Sequence, residues 1–409
     1  MSTLTCRACG APLTRTLVDL GETALANSYV KPEKAGTVDK AYPLHARVCD
    51  QCYLVQVEDV VPAEDIFSDY AYFSSYAASW VEHAKAYCDL TQQRLGLGKD
   101  SFVVEVASND GYLLQHFVGK GVPCLGVEPA ANVADVAREK GVPTLTAFFG
   151  LETARKVRDE HGAANLTAAN NVLAHVPNIN DFVAGFAHLL ADEGVSTFEF
   201  PHLLNLMKYV QFDTIYHEHF SYLSLYAVEK LFARHGLRVF DVQELPTHGG
   251  SLRVWACRRD AAYADTDGLR KVRADEAEFG MATPEAYDGF NARVVAVKDG
   301  LLTFLTTAKA EGKTVVAYGA AAKGNTLLNY CGVGPDLIKM VADANPHKQD
   351  HLLPGSHIPI VAPEDLAAAQ PDYVLILPWN LKAEIAEKMA HLRQCGAKFA
   401  TAVPAMDIF

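Results

Sequence analysis

No apolar run in this 409-residue chain approaches the roughly 18 residues that a membrane-spanning helix needs. Its first residues, Met1 to Cys6, lack the basic stretch and apolar core of a secretory signal, so a cytoplasmic protein is expected. Positive charge is scarce. With 36 Lys and Arg against 49 Asp and Glu, the formal net charge is −13, which disfavours nucleic acid or an anionic membrane as a partner. A small anionic ligand in a locally basic pocket stays compatible with that balance. There is no internal repeat at a short period and no low-complexity tract. The glycine-rich G-x-G-x-x-G turn of dinucleotide-binding proteins is missing, as is the His-Glu-x-x-His of zinc proteases. Nine cysteines, several of them isolated, fit a reducing compartment better than a disulfide framework.

Four of those cysteines form two C-x-x-C knuckles, Cys6 with Cys9 and Cys49 with Cys52. Each knuckle turns two thiolates toward one point, and four thiolates suit a closed tetrahedral Zn2+ site. Redox dithiols are the alternative, but no strand–CxxC–helix pattern supports it. A zinc ribbon often accompanies nucleic-acid binding, yet no Lys/Arg cluster lies beside this one. The expected unit is a zinc-clipped lobe over residues 1–65 with no open position for catalysis.

From Phe102 a strand–helix alternation begins, with strands expected at 102–107, 123–128, 145–148, 166–169 and 195–200. Such alternation predicts an α/β fold with a doubly wound parallel sheet. The first α/β domain is expected to span 66–260, with an aromatic helical lid over 54–98 that includes Tyr70, Tyr72, Tyr76, Trp80 and His83. A second Rossmann-like α/β block is expected after a charged helical linker at about 260–309, the two together covering 261–409. The first strand runs into Glu105, Ala107, Ser108, Asn109 and Asp110, a turn of small and polar residues that admits a ligand to the backbone. The second ends in Glu128 and Pro129, where a carboxylate can grip two ribose hydroxyls. Without a pyrophosphate cradle, the pair of acids fits S-adenosylmethionine better than a dinucleotide. Glu105 is then expected near the amino-acid end and Glu128 on the ribose, with Asn170, Asn171 and Val172 touching the same cofactor.

The densest chemistry is Tyr216-His217-Glu218-His219, followed by Tyr222. In an extended segment Tyr216, Glu218 and Tyr222 would face one way and His217 and His219 the other. The ordered set C-x-x-C…C-x-x-C, E-V-A-S-N-D-G (105–111), G-V-E-P (126–129), N-N-V-L-A-H-V (170–176) and Y-H-E-H-F-S-Y-L-S (216–224) resembles the zinc-containing sugar C-methyltransferases. That family acts on nucleotide-linked 4-keto-deoxysugars, and the resemblance covers essentially the whole chain. Ala107 departs from the general methyltransferase pattern, which has glycine there.

The resemblance implies C-methylation at C-3, through an enolate, of a thymidine-linked 4-keto-6-deoxysugar. C-5 or another carbon, or a guanosine-linked sugar, is the alternative. A nucleotide-dependent oxidoreductase using NAD in the second block is the alternative of another class. On this reading His219 is the base, His217 its possible exchange partner, and Tyr216 the donor to the oxyanion. Glu218 orients an imidazole or holds a hydroxyl, His175 touches cofactor and sugar, and Tyr76, Tyr72 or Tyr70 closes the site. Substrate contacts are expected from Tyr72, Tyr222, Asn325 and Lys323, the last in a small-residue turn suited to a pyrophosphate, and from Arg253 in His248–Arg253. The segments 343–348, 354–355 and 378–380 are weaker candidates. A monomer is expected.

Overall fold

The structure is a computed structural model, and it describes residues 4–62, 73–76 and 78–409. Tyr70 and Tyr72 of the expected lid lie outside the described residues. The N-terminal lobe is built on β1 (Arg15–Ala24), β2 (Ala41–Val48) and β3 (Val55–Gln56), paired antiparallel in that order. Along β2 the period-2 pattern puts Leu44, Ala46 and Val48 inward, the sign of a sheet with one packed face. The second knuckle, Cys49 to Cys52, is the turn between β2 and β3.

The central sheet takes β4 (Val103–Val106), β5 (Cys124–Glu128), β6 (Thr144–Thr146), β7 (Ala164–Asn170) and β8 (Leu190–Pro201) as parallel strands. Between them run α2 (Leu114–Val118), α3 (Ala131–Glu139), α4 (Leu151–His161) and α5 (Ile179–Leu189), while α1 (Ala78–Leu95) precedes β4. After β8 come α6 (Leu203–Lys208), a two-residue strand β9 (Ser221–Tyr222) and α7 (Leu225–Arg234). A hairpin, β10 (Leu237–Leu245) and β11 (Ser251–Arg258), then adds to β8 antiparallel. The sheet order is β10-β11-β8-β7-β4-β5-β6, so the sheet is mixed rather than wholly parallel. A short hairpin connection can only reverse the chain, whereas a parallel neighbour needs a crossover.

The second block is a six-stranded sheet: β12 (Val315–Tyr318), β13 (Val341–Ala342), β14 (Ile360–Val361), β15 (Tyr373–Ile376), β16 (Lys398–Thr401) and β17 (Asp407–Ile408). Its order is β14-β13-β12-β15-β16-β17, with β17 alone antiparallel. The stretch read as a linker is α8 (Asp267–Phe279) and α9 (Phe290–Ala310), with α10 (Ala322–Cys331) following β12. Helix α9 is no linker. Its Phe290, Val294, Val297, Leu301, Leu305 and Ala308 recur at helical spacing and are buried in one core shared by the N-terminal sheet and the second block. Charge on its outer face disguised that stripe.

The N-terminal lobe is therefore not an independent unit. Its sheet packs with the second block, while Cys6, Cys49 and Cys52 pack with Ile179, Phe182 and Phe186 beside the central sheet. Strand β9 closes the lobe's sheet by pairing Tyr222 with Val55 and Ser221 with Gln56. Among the described residues no helix is long and apolar enough to cross a membrane.

Candidate active site

In both sheets the first strand, β4 or β12, sits between neighbours reached by crossovers in opposite directions. Such a switch point opens a crevice at the carboxyl ends of the strands. At β4 the chain leaves through Ala107 (φ 57) and Asn109 (φ 49), left-handed conformations that disfavour side chains. Ala107, where glycine is usual, takes this conformation at a strain cost of about 1 kcal/mol. Glu128 at the end of β5 accepts from the backbone N–H of Asn109 and of Ala130, both at 2.9 Å, and so fixes the turn and Pro129 with it. Gly126 is required: a Cβ there would collide with Ser108.

Glu105 is 1% exposed; the Tyr112 hydroxyl stands beside its carboxyl, but neither oxygen makes a well-aligned hydrogen bond among the described residues. Burial drives its pKa well above the usual carboxylate range, since a charge is poorly hydrated there. The Ser108 hydroxyl and the side-chain oxygens of Asn170 and Asn171 are likewise buried without partners. Five such oxygens around one turn form a polar cradle that the protein does not fill by itself. A cationic ligand with an amino group, hydroxyls and a ring fits that donor set. Asn171 (φ 53) is held by its own N–H, which donates to the Glu199 backbone carbonyl at 2.7 Å, and Val172 follows it into a short turn ending at His175.

Asp110 carries a second task. Its carboxylate accepts from Lys140 Nζ at 2.9 Å, from the Ser75 N–H at 3.3 Å and from the Ser75 hydroxyl. Ser74 N–H donates to Asn109 Oδ1 at 2.8 Å. The aromatic segment before α1 is thus tied to the cofactor turn. Tyr76, next in line, is 73% exposed with its ring stacked on Phe73.

Residues 216–219 are a tight turn rather than an extended segment, closed by His219 N–H to the Tyr216 carbonyl at 2.9 Å. The expected alternation of faces is therefore replaced. His219 packs its ring against Tyr216 (4.0 Å between centroids) and edge-on to His175 (4.6 Å). His217 instead turns to the N-terminal lobe, donating through Nε2 to the Pro43 carbonyl at 3.2 Å and packing on Tyr42. Glu218 accepts from Asn27 at 2.7 Å, so its partner is an amide of that lobe and not an imidazole. The Tyr222 hydroxyl accepts from the Tyr216 N–H at 3.2 Å, and Tyr222 is buried: it props the turn rather than lining open space.

Poor hydration pushes His219 well below its ordinary pKa, helped by His175, His248 and Lys323 nearby, and pushes His175 down to about 4. Both imidazoles are neutral at pH 7.

Across from this turn stands the switch point of the second sheet. Lys323, in the first turn of α10, lies over the Trp379 ring at 4.6 Å and donates to Asn380 at 2.7 Å. Trp379 Nε1 donates to Asp213 at 2.7 Å, and burial lifts that carboxyl to about 6. Asn325 does not line the cleft: it is buried and donates to the Ala26 carbonyl at 2.6 Å, tying α10 to the N-terminal lobe. Arg253 differs from expectation too. It is 4% exposed, donates to Glu199 at 2.9 Å and lies over Tyr87, because Glu199, buried on β8, requires a counter-ion. His83 of α1 completes that network at 3.0 Å from Glu199.

Asp213 is the residue here that the sequence did not single out; Trp80 was expected only as part of the lid, and His248 and Trp379 only as members of the segments 248–253 and 378–380. The available signal was rarity: the chain has three tryptophans, and two of them are here.

At the other end of the lobe, the Sγ atoms of Cys6, Cys9, Cys49 and Cys52 all lie within 4.8 Å of one another. Thiolates at about 2.3 Å from one Zn2+ fit that spacing. The two knuckles repeat one geometry, with positive φ at Gly10 and Tyr53 directly after the second cysteine. Gln56 Nε2 donates to Cys6 Sγ at 3.2 Å, a bond that orients the ligand atom. Four thiolates leave the ion no open position.

Comparison with known proteins agrees with these sites. Residues 6–67 match the family described as "Putative zinc binding domain", 79–242 a methyltransferase domain, and 246–404 the C-methyltransferase C-terminal domain. The C-methyltransferase NovU of Streptomyces niveus is 37% identical over 399 residues, 98% of this chain and 95% of that protein. Among solved structures, magnesium protoporphyrin IX methyltransferase from Synechocystis PCC 6803 is 14% identical over 44% of this chain and 77% of its own, with a TM-score of 0.32. The YcgJ protein from Bacillus subtilis is 11% identical over 44% of this chain and 100% of its own, at 0.35. Those two overlaps are too loose to argue from. The likeness to NovU over nearly the whole of both chains, joined to the three matching domains and the two sites, shows that this protein belongs to the S-adenosylmethionine-dependent C-methyltransferases.

Proposed function

We propose that the protein methylates C-3 of a nucleotide-linked 4-keto-6-deoxysugar, with a thymidine nucleotide as carrier. The observation that carries this reading is the pairing of two neutral imidazoles, His175 and His219, at 4.6 Å between the cofactor turn and a second α/β sheet. Carbon methylation needs a carbanion-like nucleophile, and a keto group acidifies the hydrogen on its neighbouring carbon. His219 takes that proton; the C–H electron pair becomes the C-3–C-4 double bond, and the ketone oxygen becomes an enolate. Tyr216 donates its hydroxyl to that oxygen, and His175 backs the same side. Glu218, kept poorly hydrated and bonded to Asn27, holds a sugar hydroxyl.

S-adenosylmethionine, when bound, supplies the methyl group that C-3 receives. Glu105 is the group for its positively charged end and Glu128 for its ribose. Ala107, Ser108, Asn109, Asp110, Pro129, Asn170, Asn171 and Val172 form the rest of its bed. Lys323 at the second switch point takes the nucleotide's phosphates, and the lid tyrosines, Tyr76 or the undescribed Tyr72, cover the sugar. Both halves of the cleft come from one chain, which supports a monomer.

The test is incubation with S-adenosylmethionine and a panel of thymidine- and guanosine-linked 4-keto-6-deoxysugars in deuterated water, read by mass spectrometry and NMR. A product heavier by one methyl at C-3 is expected, with deuterium entering C-3 even without cofactor. Methylation at C-5, or of guanosine-linked sugars alone, would replace the finer assignment. No methylation and no exchange across the panel would reject the substrate class.

A further inference from the structure

The β10–β11 hairpin was expected to offer the cleft a guanidinium, Arg253. In the structure Arg253 is buried on Glu199, and the group the hairpin offers instead is His248. Its backbone is left-handed (φ 54, ψ 23), an uncommon state for a residue with a side chain, and Gly249 (φ 87) and Gly250 (φ 113) continue the turn. The turn is pinned from several sides. Thr247 donates to Glu199 at 3.3 Å, Gln211 to the Gly249 carbonyl at 2.9 Å, and the His202 N–H to the Gly250 carbonyl at 3.0 Å. Strain of this kind, of order 1 kcal/mol, persists only where surrounding structure imposes it.

What it presents is an imidazole edge-on to Trp80, with ring centroids 5.8 Å apart. The next residue, Gly249, abuts Trp379, where any Cβ would strike the indole, and Lys323 lies on that same indole. His248 is open to solvent, yet crowded enough that its pKa falls to about 4. Among the described residues it has no hydrogen-bond partner. The charged or titratable groups near it are Lys323, Glu199, His83, His175 and His219. Glu199, the one acid of that set, is already neutralised by Arg253 and His83. The remaining acid beside Lys323 is Asp213, whose carboxylate is engaged by the Trp379 indole N–H, and the two indoles thin out the water of this wall.

We propose that His248 and Lys323 together seat a phosphoryl group of the substrate's diphosphate, His248 donating an N–H and Lys323 supplying the charge. This rests on the nucleotide-linked substrate proposed above and adds His248 as a binding residue. An anion there also offsets the repulsion that Lys323 exerts on a protonated His219, so the distant end of the substrate makes the base a better proton acceptor.

The test is calorimetric binding of thymidine diphosphate, guanosine diphosphate and the parent nucleosides to the full chain and to His248→Gly and Lys323→Met. Glycine adopts φ 54 without strain, so His248→Gly keeps the turn. Expected is a loss of about tenfold or more in diphosphate affinity in each variant, with nucleoside and S-adenosylmethionine binding within twofold of wild type. If the wild type binds a diphosphate and His248→Gly binds it equally well, the seat is wrong while the substrate class stands. If the wild type binds neither diphosphate, the nucleotide-linked substrate falls, and the seat with it.

Discussion

His219 Nδ1 lies 3.0 Å from the carbonyl oxygen of Thr214. A carbonyl only accepts, so Nδ1 carries the proton and the neutral ring keeps its lone pair on Nε2. The tautomer of the proposed base is therefore set by the backbone five residues earlier, in the short turn Phe212–Thr214 that also carries Asp213.

Replacing His219 with Asn is expected to lower turnover by about 10²-fold or more while S-adenosylmethionine affinity stays within a few-fold. Exchange of the C-3 hydrogen with deuterated water should stop as well. Near wild-type exchange in this variant would remove His219 as the base.

The pH profile follows from the same ring. His219 is held well below its ordinary value of 6.5 by burial first, then by His175, His248 and Lys323. A base works in its unprotonated form, so the acid limb of kcat/KM for the free enzyme should lie below pH 6.5, with a flat rate from about pH 7 upward until another group intervenes. An acid limb above pH 7 would contradict this.

Glu105→Gln should separate stability from binding. Burial holds the carboxyl well above the usual range with the Tyr112 hydroxyl beside it, so the uncharged amide of the same shape should not lower the Tm of the cofactor-free protein. S-adenosylmethionine affinity should fall by about tenfold or more by calorimetry. A variant that is less stable and binds normally would show that Glu105 is structural.

Asp213 gives a stability test with a definite sign. Its folded pKa of about 6 lies above the ordinary 3.8, so between those values the native state keeps a proton that the unfolded chain has lost. Its favourable contribution is present below 3.8 and disappears as pH rises through 6. Asp213→Asn, which keeps an acceptor for Trp379, should therefore gain stability over wild type as pH rises from 4 to 7, by roughly 3 kcal/mol at about 1.4 kcal/mol per unit. A pH-independent difference in denaturant midpoints would refute the shift.

Chelation of the metal, or Cys49→Ser, should lower the Tm and weaken activity together. Cys49 and Cys52 form the turn between β2 and β3, and β3 pairs with β9, which directly follows the His219 turn. A metal-free variant of unchanged stability and activity would show that the four thiols play no structural part.

Sequence alone determined the groups whose chemistry is local. The two knuckles are legible because a C-x-x-C turn brings its own thiolates together. The acids at 105 and 128 are legible as buried groups at the switch point because each lies at or near the carboxyl end of an apolar strand. The strand–helix alternation is legible because buried parallel strands must be apolar on both faces.

Only the tertiary structure decided which of His217 and His219 meets His175, since a turn replaced the extended segment and sent neighbouring side chains to different lobes. It alone turned the charged stretch before β12 into a core helix, exchanged Arg253 for His248 at the cleft, and joined β3 to β9, far apart in the chain. Each of these depends on which distant residue arrives to neutralise, cover or pair with the local one. Spacing along a chain records turns, periods and caps, but a partner brought in by folding leaves no mark on it.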